Sequence, residues 1–392
     1  MPWRRRPFRG RDLSRTLTIA DLRQIARQQL PGFIFEYLEG GAEEEASVRG
    51  NRAALEALRL LPQTLVDTSR RAQRTDILGS PAAAPLVIAP TGMNGLVHPQ
   101  GDVMLARAAA KLGIPCSLST VSTTLLEEVA AQAPGRLWMQ LYVMKNRAVG
   151  EDIMRRAAQA GYEALVFTTD ANVFGSREWD RRNYRAPGKP TVPVMLDALR
   201  HPRWLLEVLL LHGMPRFRNF ESFLPPGRAT AVGGSTIIPT LFEPTITWED
   251  IGWIRQHWPR KLLIKGVLSV PDAQRAADLG CDGIVLTNHG GRQLDYCVAP
   301  IEVLPEIAAA VGKRLTIIID SGFRRGTDVV KALALGAHAV MLGRATLYGL
   351  AAAGERGVER ALEILTTEID RVLGQLGVCS IADLTPRLVR RS

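Results

Sequence analysis

Residues 316–344 read TIIIDSGFRRGTDVVKALALGAHAVMLGR, from Thr316 to Arg344. Thr316–Asp320 is a short, continuous apolar run that ends in a carboxylate. Thr327–Leu335 has a helical pattern, and Leu335-Gly336-Ala337 is the small-residue turn that ends a helix and feeds a strand. Ala339–Gly343 is a second apolar run. Strands apolar on both faces, joined through a helix, make a parallel βα unit. The two strands also end alike, in Asp320-Ser321-Gly322 followed by Arg324, and in Gly343-Arg344.

The same unit recurs along the chain. Further strands are expected at Leu86–Ala89, Pro115–Ser119, Leu137–Leu141, Ala164–Thr168, Leu262–Lys265 and Gly283–Thr287. Helical stretches such as Asp102–Leu112, Arg147–Ala160 and Pro271–Leu279 lie between them. Eight such units predict an α/β fold, a closed (β/α)8 TIM barrel. A doubly wound open sheet usually has fewer strands and an early GxGxxG turn, and none follows the first strand here.

The barrel is expected over residues 86–380, with a C-terminal tail over 381–392. Residues 1–85 read as a basic arm and a helical extension, with Thr18-Ile19-Ala20-Asp21 starting an amphipathic helix. A long insertion of about 171–246 follows the fourth strand, too long for an ordinary loop. It carries a mostly apolar helix near 202–212, in which Trp204 to Leu211 cover most sides.

Composition is ordinary for a globular protein, with 46% hydrophobic and 22% charged residues among 392. The net charge of +10 attracts nucleic acid, anionic lipid or anionic substrates, and a generally arginine-rich proteome accounts for it equally well. No nucleic-acid module is present, so no nucleic acid is expected as a partner. The longest apolar run, Trp204–Leu211, is interrupted by Glu207 and falls short of the roughly 20 residues of a membrane span. Arg4, Arg5, Arg6, Arg9 and Arg11 are not followed by an apolar stretch, so no secretory signal is expected. Cys116, Cys281, Cys297 and Cys379 are scattered without a CxxC pair. This spacing predicts reduced thiols in the cytoplasm and no metal site.

Barrel chemistry sits at the C-terminal ends of the strands. Reading past each strand in turn gives Pro90-Thr91-Gly92, Ser119-Thr120, Gln140 with Tyr142, Thr168 with Asp170 and then Arg177, Lys265-Gly266, Thr287 through Arg292, Asp320-Ser321-Gly322 with Arg324, and Gly343-Arg344. Every strand delivers a polar group or a glycine at the same end. The last two clusters resemble a phosphate cradle, with glycine amides, two arginines and helix N-termini after both. Plain turns with surface arginines are the competing account.

His289 stands out among six histidines because it follows a buried strand and precedes Arg292 by three residues. A histidine there can accept a substrate proton near neutral pH; a structural loop histidine is the alternative. Arg177 and Arg292 suit a carboxylate fork, against exposed salt bridging. Lys265 at the end of a buried strand needs an anionic partner or a Schiff-base role, because an unpaired buried charge is costly. An aldolase-type lysine would leave the two arginines, the histidine and the two tyrosines, Tyr37 and Tyr142, without a purpose.

The runs Ser321-Gly322-Phe323-Arg324-Arg325-Gly326-Thr327-Asp328, Lys331 to Ala337, and Asn288 to Asp295 resemble the FMN-dependent 2-hydroxy acid dehydrogenase/oxidase family. The likeness extends from about residue 18 to residue 380. Leu38 to Glu43, Pro90 to Gly95, His201-Pro202-Arg203-Trp204, His212 to Pro215 and Gly343 to Gly349 look most like the bacterial (S)-mandelate dehydrogenase branch. The membrane-bound L-lactate dehydrogenases come second, and an oxygen-using hydroxy acid oxidase is a further alternative.

The resemblance implies that FMN is the cofactor and that a 2-hydroxy acid, mandelate or another bulky one, is oxidised to the 2-keto acid. His289 then resembles the base, Asp170 its carboxylate partner, and Arg177, Arg292 and Tyr37 the carboxylate anchors. Tyr142 resembles the tyrosine that meets the substrate hydroxyl, and Lys265 the lysine beside flavin N1 and O2. Pro90, Thr91, Gly92, Ser119, Gln140 and Thr168 resemble groups around the flavin ring. Thr287 stands where many relatives have serine. Asp320, Gly322, Arg324, Gly343 and Arg344 resemble ribityl and phosphate contacts. Val121 replaces a tryptophan of plant glycolate oxidase, leaving room for a larger substrate. Gly92 stands where oxidase-type relatives have alanine, which favours a quinone-like acceptor over oxygen. The likeness also implies a homo-oligomer, a tetramer, and peripheral contact with the inner face of the cell membrane through about 189–224.

Overall fold

The computed structural model describes residues 8–186, 189–231 and 237–391. Its centre is a closed barrel of eight parallel strands. They are β1 (Leu86–Ile88), β2 (Cys116–Leu118), β3 (Leu137–Leu141), β4 (Ala164–Thr168), β5 (Lys261–Val267), β6 (Gly283–Leu286), β7 (Thr316–Ile319) and β8 (Ala339–Leu342). Each pairs with the next, and β8 closes on β1 by setting Val340, Met341 and Leu342 opposite Leu86, Val87 and Ile88. The expected barrel is present, with strand ends moved by one or two residues.

Burial on both faces explains why the strands read as unbroken apolar runs rather than alternating ones. Val87, Trp138, Val166, Leu263, Val285, Ile318 and Met341 fill the lumen. Their neighbours, among them Ile88, Met139, Leu165, Ile264, Ile284, Ile317 and Val340, turn outward into the layer shared with the helices.

The N-terminal extension carries three helices, α1 (Ile19–Gln29), α2 (Gly32–Glu39) and α3 (Ala46–Glu56). Thr18 and Asp21 cap α1 reciprocally: Thr18 Oγ1 accepts from the Asp21 amide at 3.2 Å, and Asp21 Oδ2 accepts from the Thr18 amide at 3.0 Å. Beyond α3 the extension is not helical, which the sequence pattern did not indicate. An antiparallel hairpin, Thr75–Ile77 with Ser80–Ala82, pushes Ile77 and Leu78 into the lumen cluster. Arg136 fixes this plug by donating to the carbonyls of Ile77, Ser80 and Pro81. Strands of three residues are too short to show a period. At the other end of the chain, Val389–Arg391 pairs with Leu58–Leu60.

The insertion after β4 holds a short helix (Glu178–Arg182), a hairpin, a helix (Val192–Leu199), and a turn at Pro202–Trp204 that runs into a π-helical stretch, Leu205–Leu210. Its apolar residues lie on both the buried and the exposed face, in keeping with the expectation that they cover most sides. Trp204 and Val208 are buried, and Trp204 donates to the Leu96 carbonyl at 2.8 Å and meets the Phe33 ring edge-on. Leu206, Leu210 and Leu211 are exposed, at 49%, 76% and 67%. No helix among the described residues is long and apolar enough to cross a membrane. Arg4, Arg5 and Arg6 of the basic arm lie outside the described residues.

Candidate active site

The loop after β6 brings His289 into the rim. His289, Gly290 and Gly291 all have left-handed backbones, with φ of 57°, 66° and 75°. Two successive glycines make that run accessible. The His289 amide donates to Thr287 Oγ1 at 2.8 Å. The ring then lies between two partners, with Nδ1 2.9 Å from Asp170 Oδ1 and Nε2 3.4 Å from the Tyr142 hydroxyl. Asp170 follows the end of β4, close against Gly266 of β5, whose backbone is left-handed (φ 120°). A Cβ on Gly266 would fall 2.7 Å from Thr169 Oγ1 and 3.0 Å from the Asp170 Cβ, so glycine is required for the two strand ends to touch.

Burial holds the His289 imidazole below its ordinary pKa, and Lys265 and Arg177 act the same way, while Asp170 opposes them. Burial also pushes the Asp170 carboxyl upward, but His289 and Lys265 outweigh it and keep the carboxylate below its ordinary range. The pair at neutral pH is therefore a neutral imidazole hydrogen-bonded to a carboxylate, with Nε2 free to take a proton.

The β6 loop is pinned from outside the barrel by α3. Asn51 and Asn288 exchange amide hydrogen bonds at 2.9 and 2.7 Å, and Asp295 accepts from the Ala46 and Ser47 amides at the start of α3. The sequence reading missed these residues, since no local pattern couples positions 237 apart.

Arg292 sits under Tyr37. Its Nη1 donates to the carbonyls of Tyr37 and Gly40 at 2.8 and 2.7 Å, and the guanidinium lies 5.2 Å from the Tyr37 ring centre. The Tyr37 hydroxyl reaches the Gly92 carbonyl at 3.4 Å. Burial, then Arg177 and Arg344, push the Arg292 pKa down; a guanidinium starts high enough to remain charged at neutral pH. Arg177 Nε is buried without a hydrogen-bond partner.

A polar row links the ends of β2, β3 and β4. Ser119 Oγ and the Thr120 amide donate to Gln140 Oε1, and Gln140 Nε2 donates to Thr168 Oγ1 at 3.0 Å. Lys265 is buried and does have an anionic partner, Asp320 Oδ2, at 3.6 Å. Asp320 Oδ1 accepts from Thr287 and Ser321. This places Asp320 beside the lysine at the rim.

The ends of β7 and β8 carry further contacts within the protein. The amides of Arg324 and Arg325 already donate to Asp328 Oδ2, and that of Gly326 donates to Glu368 Oε2. The helix N-terminus after β7 is thus occupied by carboxylates. Arg344 donates to the carbonyls of Leu38, Gly40 and Gly290, clamping α2 to the His289 loop. Arg324 donates to the Phe323 carbonyl and lies over the Tyr348 ring. Beside these two guanidiniums lie the left-handed Ser321-Gly322 turn, Gly343, and the helix that starts at Arg344.

Buried polar atoms without partners gather at this end of the barrel, among them Thr91 Oγ1, Asp170 Oδ2, Arg177 Nε and Asp180 Oδ1. Such groups in a folded protein point to a ligand.

Residues 26–391 match the model of the FMN-dependent dehydrogenase family. The chain is 46% identical over 369 residues to (S)-mandelate dehydrogenase of Pseudomonas putida, covering 94% of this chain and 92% of that protein. It is 42% identical over 381 residues to a putative L-lactate dehydrogenase of Mycobacterium tuberculosis, covering 97% and 90%. A crystal structure of (S)-mandelate dehydrogenase, described as a monotopic membrane protein, superposes with a TM-score of 0.92 at 44% identity, covering 96% of this chain and 100% of that one. With a rim of this composition on a barrel of this topology, the chain belongs to the FMN-dependent dehydrogenases.

Proposed function

We propose that the protein oxidises an (S)-2-hydroxy acid with a bulky side chain, mandelate above all, to the 2-keto acid. The observation that carries this is the His289–Asp170 pair facing Tyr142, with Arg177 and Arg292 alongside.

The rim fits a flavin mononucleotide. Thr91 Oγ1 is a buried hydroxyl awaiting a partner. The Ser119–Gln140–Thr168 row and Lys265 offer polar contacts for the edge of a flat ring. Pro90, Gly92 and Thr287 would flank that ring, and Gly322, Arg324, Gly343 and Arg344 would hold the phosphate end. The flavin supplies the two-electron acceptance that the side chains lack.

The chain's own groups bind the acid and move its proton. Arg177 and Arg292 anchor the carboxylate, assisted by Tyr37. His289 Nε2 takes the hydroxyl proton, and Asp170 Oδ1 holds the resulting imidazolium through Nδ1–H. Tyr142 keeps the hydroxyl oxygen against the imidazole. Its own pKa is raised by burial and then by Asp170, so it remains a neutral donor.

Three finer features rest on likeness to the family and its relatives: a homotetramer, a quinone-like acceptor, and a cytoplasmic position on the inner face of the cell membrane, docked through 189–224. The test of the central reading is anaerobic stopped-flow reduction of the yellow protein by mandelate, lactate and glycolate. Fastest reduction by mandelate is expected; fastest reduction by lactate would move the chain to the lactate reading. Turnover with dichlorophenolindophenol should far exceed peroxide formation in air, and equal rates would overturn the quinone-like acceptor.

A further inference from the structure

Asp180 has no role in the site as described. It lies in the short helix Glu178–Arg182, three residues after Arg177, the residue that opens that helix. Its Oδ1 is buried and unpartnered. It lies against Gly40, where an added Cβ would be 3.9 Å from that oxygen. The Gly40 carbonyl is the one that receives Arg292 and Arg344. Among the described residues Asp180 closes no ion pair, yet the charges acting on it are those of Arg292 and Arg177, with Glu45 opposing them. A buried carboxylate oxygen that lies beside the residue whose carbonyl holds Arg292, and that closes no ion pair with either guanidinium, leaves both arginines open to a second carboxylate.

We propose that Asp180 is the resident counter-charge of the Arg177–Arg292 pair, and that an incoming substrate carboxylate competes with it, so that an acid binds with uptake of a proton at Asp180. The inference rests on the reading of these arginines as carboxylate anchors. Asp180 is a positioning residue. Its charge steadies two like charges in the empty site, and it moderates how tightly they hold an anion once one enters.

The sign follows from the groups around it. Burial raises the Asp180 pKa, and Arg292 and Arg177 only partly offset this. In the neighbouring α2, Glu36 is already bound to the Asn183 side-chain amide. Glu45 lies in the turn before α3, and Tyr184 follows in the hairpin, where it feels the Asp180 charge. An added anion raises the Asp180 pKa further, so binding consumes a proton. Affinity for a carboxylate should therefore strengthen as pH falls, and level off once Asp180 is protonated in the free enzyme. Protonation of His289 would act in the same direction and must be removed from the measurement.

The experiment uses the FMN-loaded protein in the H289N background and phenylacetate, which has no hydroxyl to oxidise. Calorimetric titration between pH 5 and 8, in buffers of different ionisation heat, gives both Kd and proton uptake. H289N should take up a proton on binding, and Kd should rise with pH. H289N/D180N should lose the uptake and the slope and bind phenylacetate about tenfold more tightly at pH 7.5, as removal of one nearby like charge predicts. The neutral amide of phenylacetic acid should bind both forms alike. Unchanged or weaker phenylacetate binding in the double variant would overturn the proposal, as would absence of proton uptake in H289N, a measurement that does not depend on folding of the Asp180 variant. R177M separates the two layers: if it binds phenylacetate normally, the anchor reading itself fails.

Discussion

A methyl group on Gly92 would stand 2.5 Å from Val121 Cγ2. The loops after β1 and β2 thus interlock, with the valine filling the space that a side chain on residue 92 would need, and the Met93 amide donating to the Val121 carbonyl at 3.1 Å. Gly92→Ala should overpack this contact and cost about 1–3 kcal/mol. Val121→Ala should be mild alone and should restore most of the loss when combined with Gly92→Ala. Urea unfolding of the two single variants and the double variant measures the coupling. Strictly additive effects would mean that the two loops do not press on each other.

His289→Asn or His289→Ala should retain FMN and lose turnover by several orders of magnitude, read as flavin reduction in a single turnover. The pH profile carries the sign. The base works only when neutral, and burial sets its pKa below the ordinary value. The acid limb of kcat/KM that reports this base should therefore lie on the lower side of an ordinary histidine. Asp170→Asn removes a charge that supports the protonated imidazole, so the acid limb should move lower still while the plateau drops. An acid limb that stays in place in Asp170→Asn would dissociate the pair.

Arg292 and Arg177 should fail differently. Arg292→Met removes the substrate anchor, takes its donor from the Tyr37 carbonyl and leaves the Gly40 carbonyl to Arg344 alone. It should cost about 2–5 kcal/mol in kcat/KM and a further 1–3 kcal/mol or so of stability. Arg292→Lys should recover part of each, since the fork is lost. Arg177 Nε has no protein partner to lose, so Arg177→Met should weaken substrate binding with little change in melting temperature. Equal melting losses in the two variants would contradict this division.

The barrel was legible because its strands are buried on both faces and read as unbroken apolar runs, bounded by turns such as Leu335-Gly336-Ala337. The site was legible to the extent that topology alone gathers residues: once the strand ends converge, His289, Asp170 and Lys265 must lie together. What was hidden depends on contacts between distant segments. The Asn51–Asn288 exchange, the Asp328 and Glu368 caps over the helix after β7, and the lodging of Ile77 and Leu78 in the lumen leave no periodic trace. Residue type alone likewise gave no sign that Arg344 ties α2 to the His289 loop through three backbone carbonyls.

The insertion presents the remaining prediction. Val192, Met195, Leu196 and Leu199 follow one another at helical spacing and are all exposed, and Leu206, Leu210 and Leu211 add to that apolar surface. Arg200, Arg203, Arg216 and Arg218 flank it. Three of these pair with surface carboxylates, Glu207, Glu221 and Glu128. Exposed pairs of this kind contribute little, so anionic head groups can replace them. The opposite face belongs to the protein: Trp204 holds the Leu96 carbonyl, and Asp197 accepts from the Gly32 amide at the start of α2. Excising 189–224 would therefore disturb the barrel rim along with the outer surface, and substitutions on the exposed face alone make the cleaner test. Leu199→Glu with Leu210→Glu should leave the melting temperature within about a degree, because both side chains already meet solvent, at 66% and 76% exposure. Wild-type protein should pellet with vesicles rich in anionic lipid at low salt and be partly released as salt screens the arginines. The double variant should stay in the supernatant and still reduce its flavin with substrate. If wild-type protein fails to pellet at low salt, the same leucines are better placed against a second copy of the chain, and the double variant should then change the oligomer size instead.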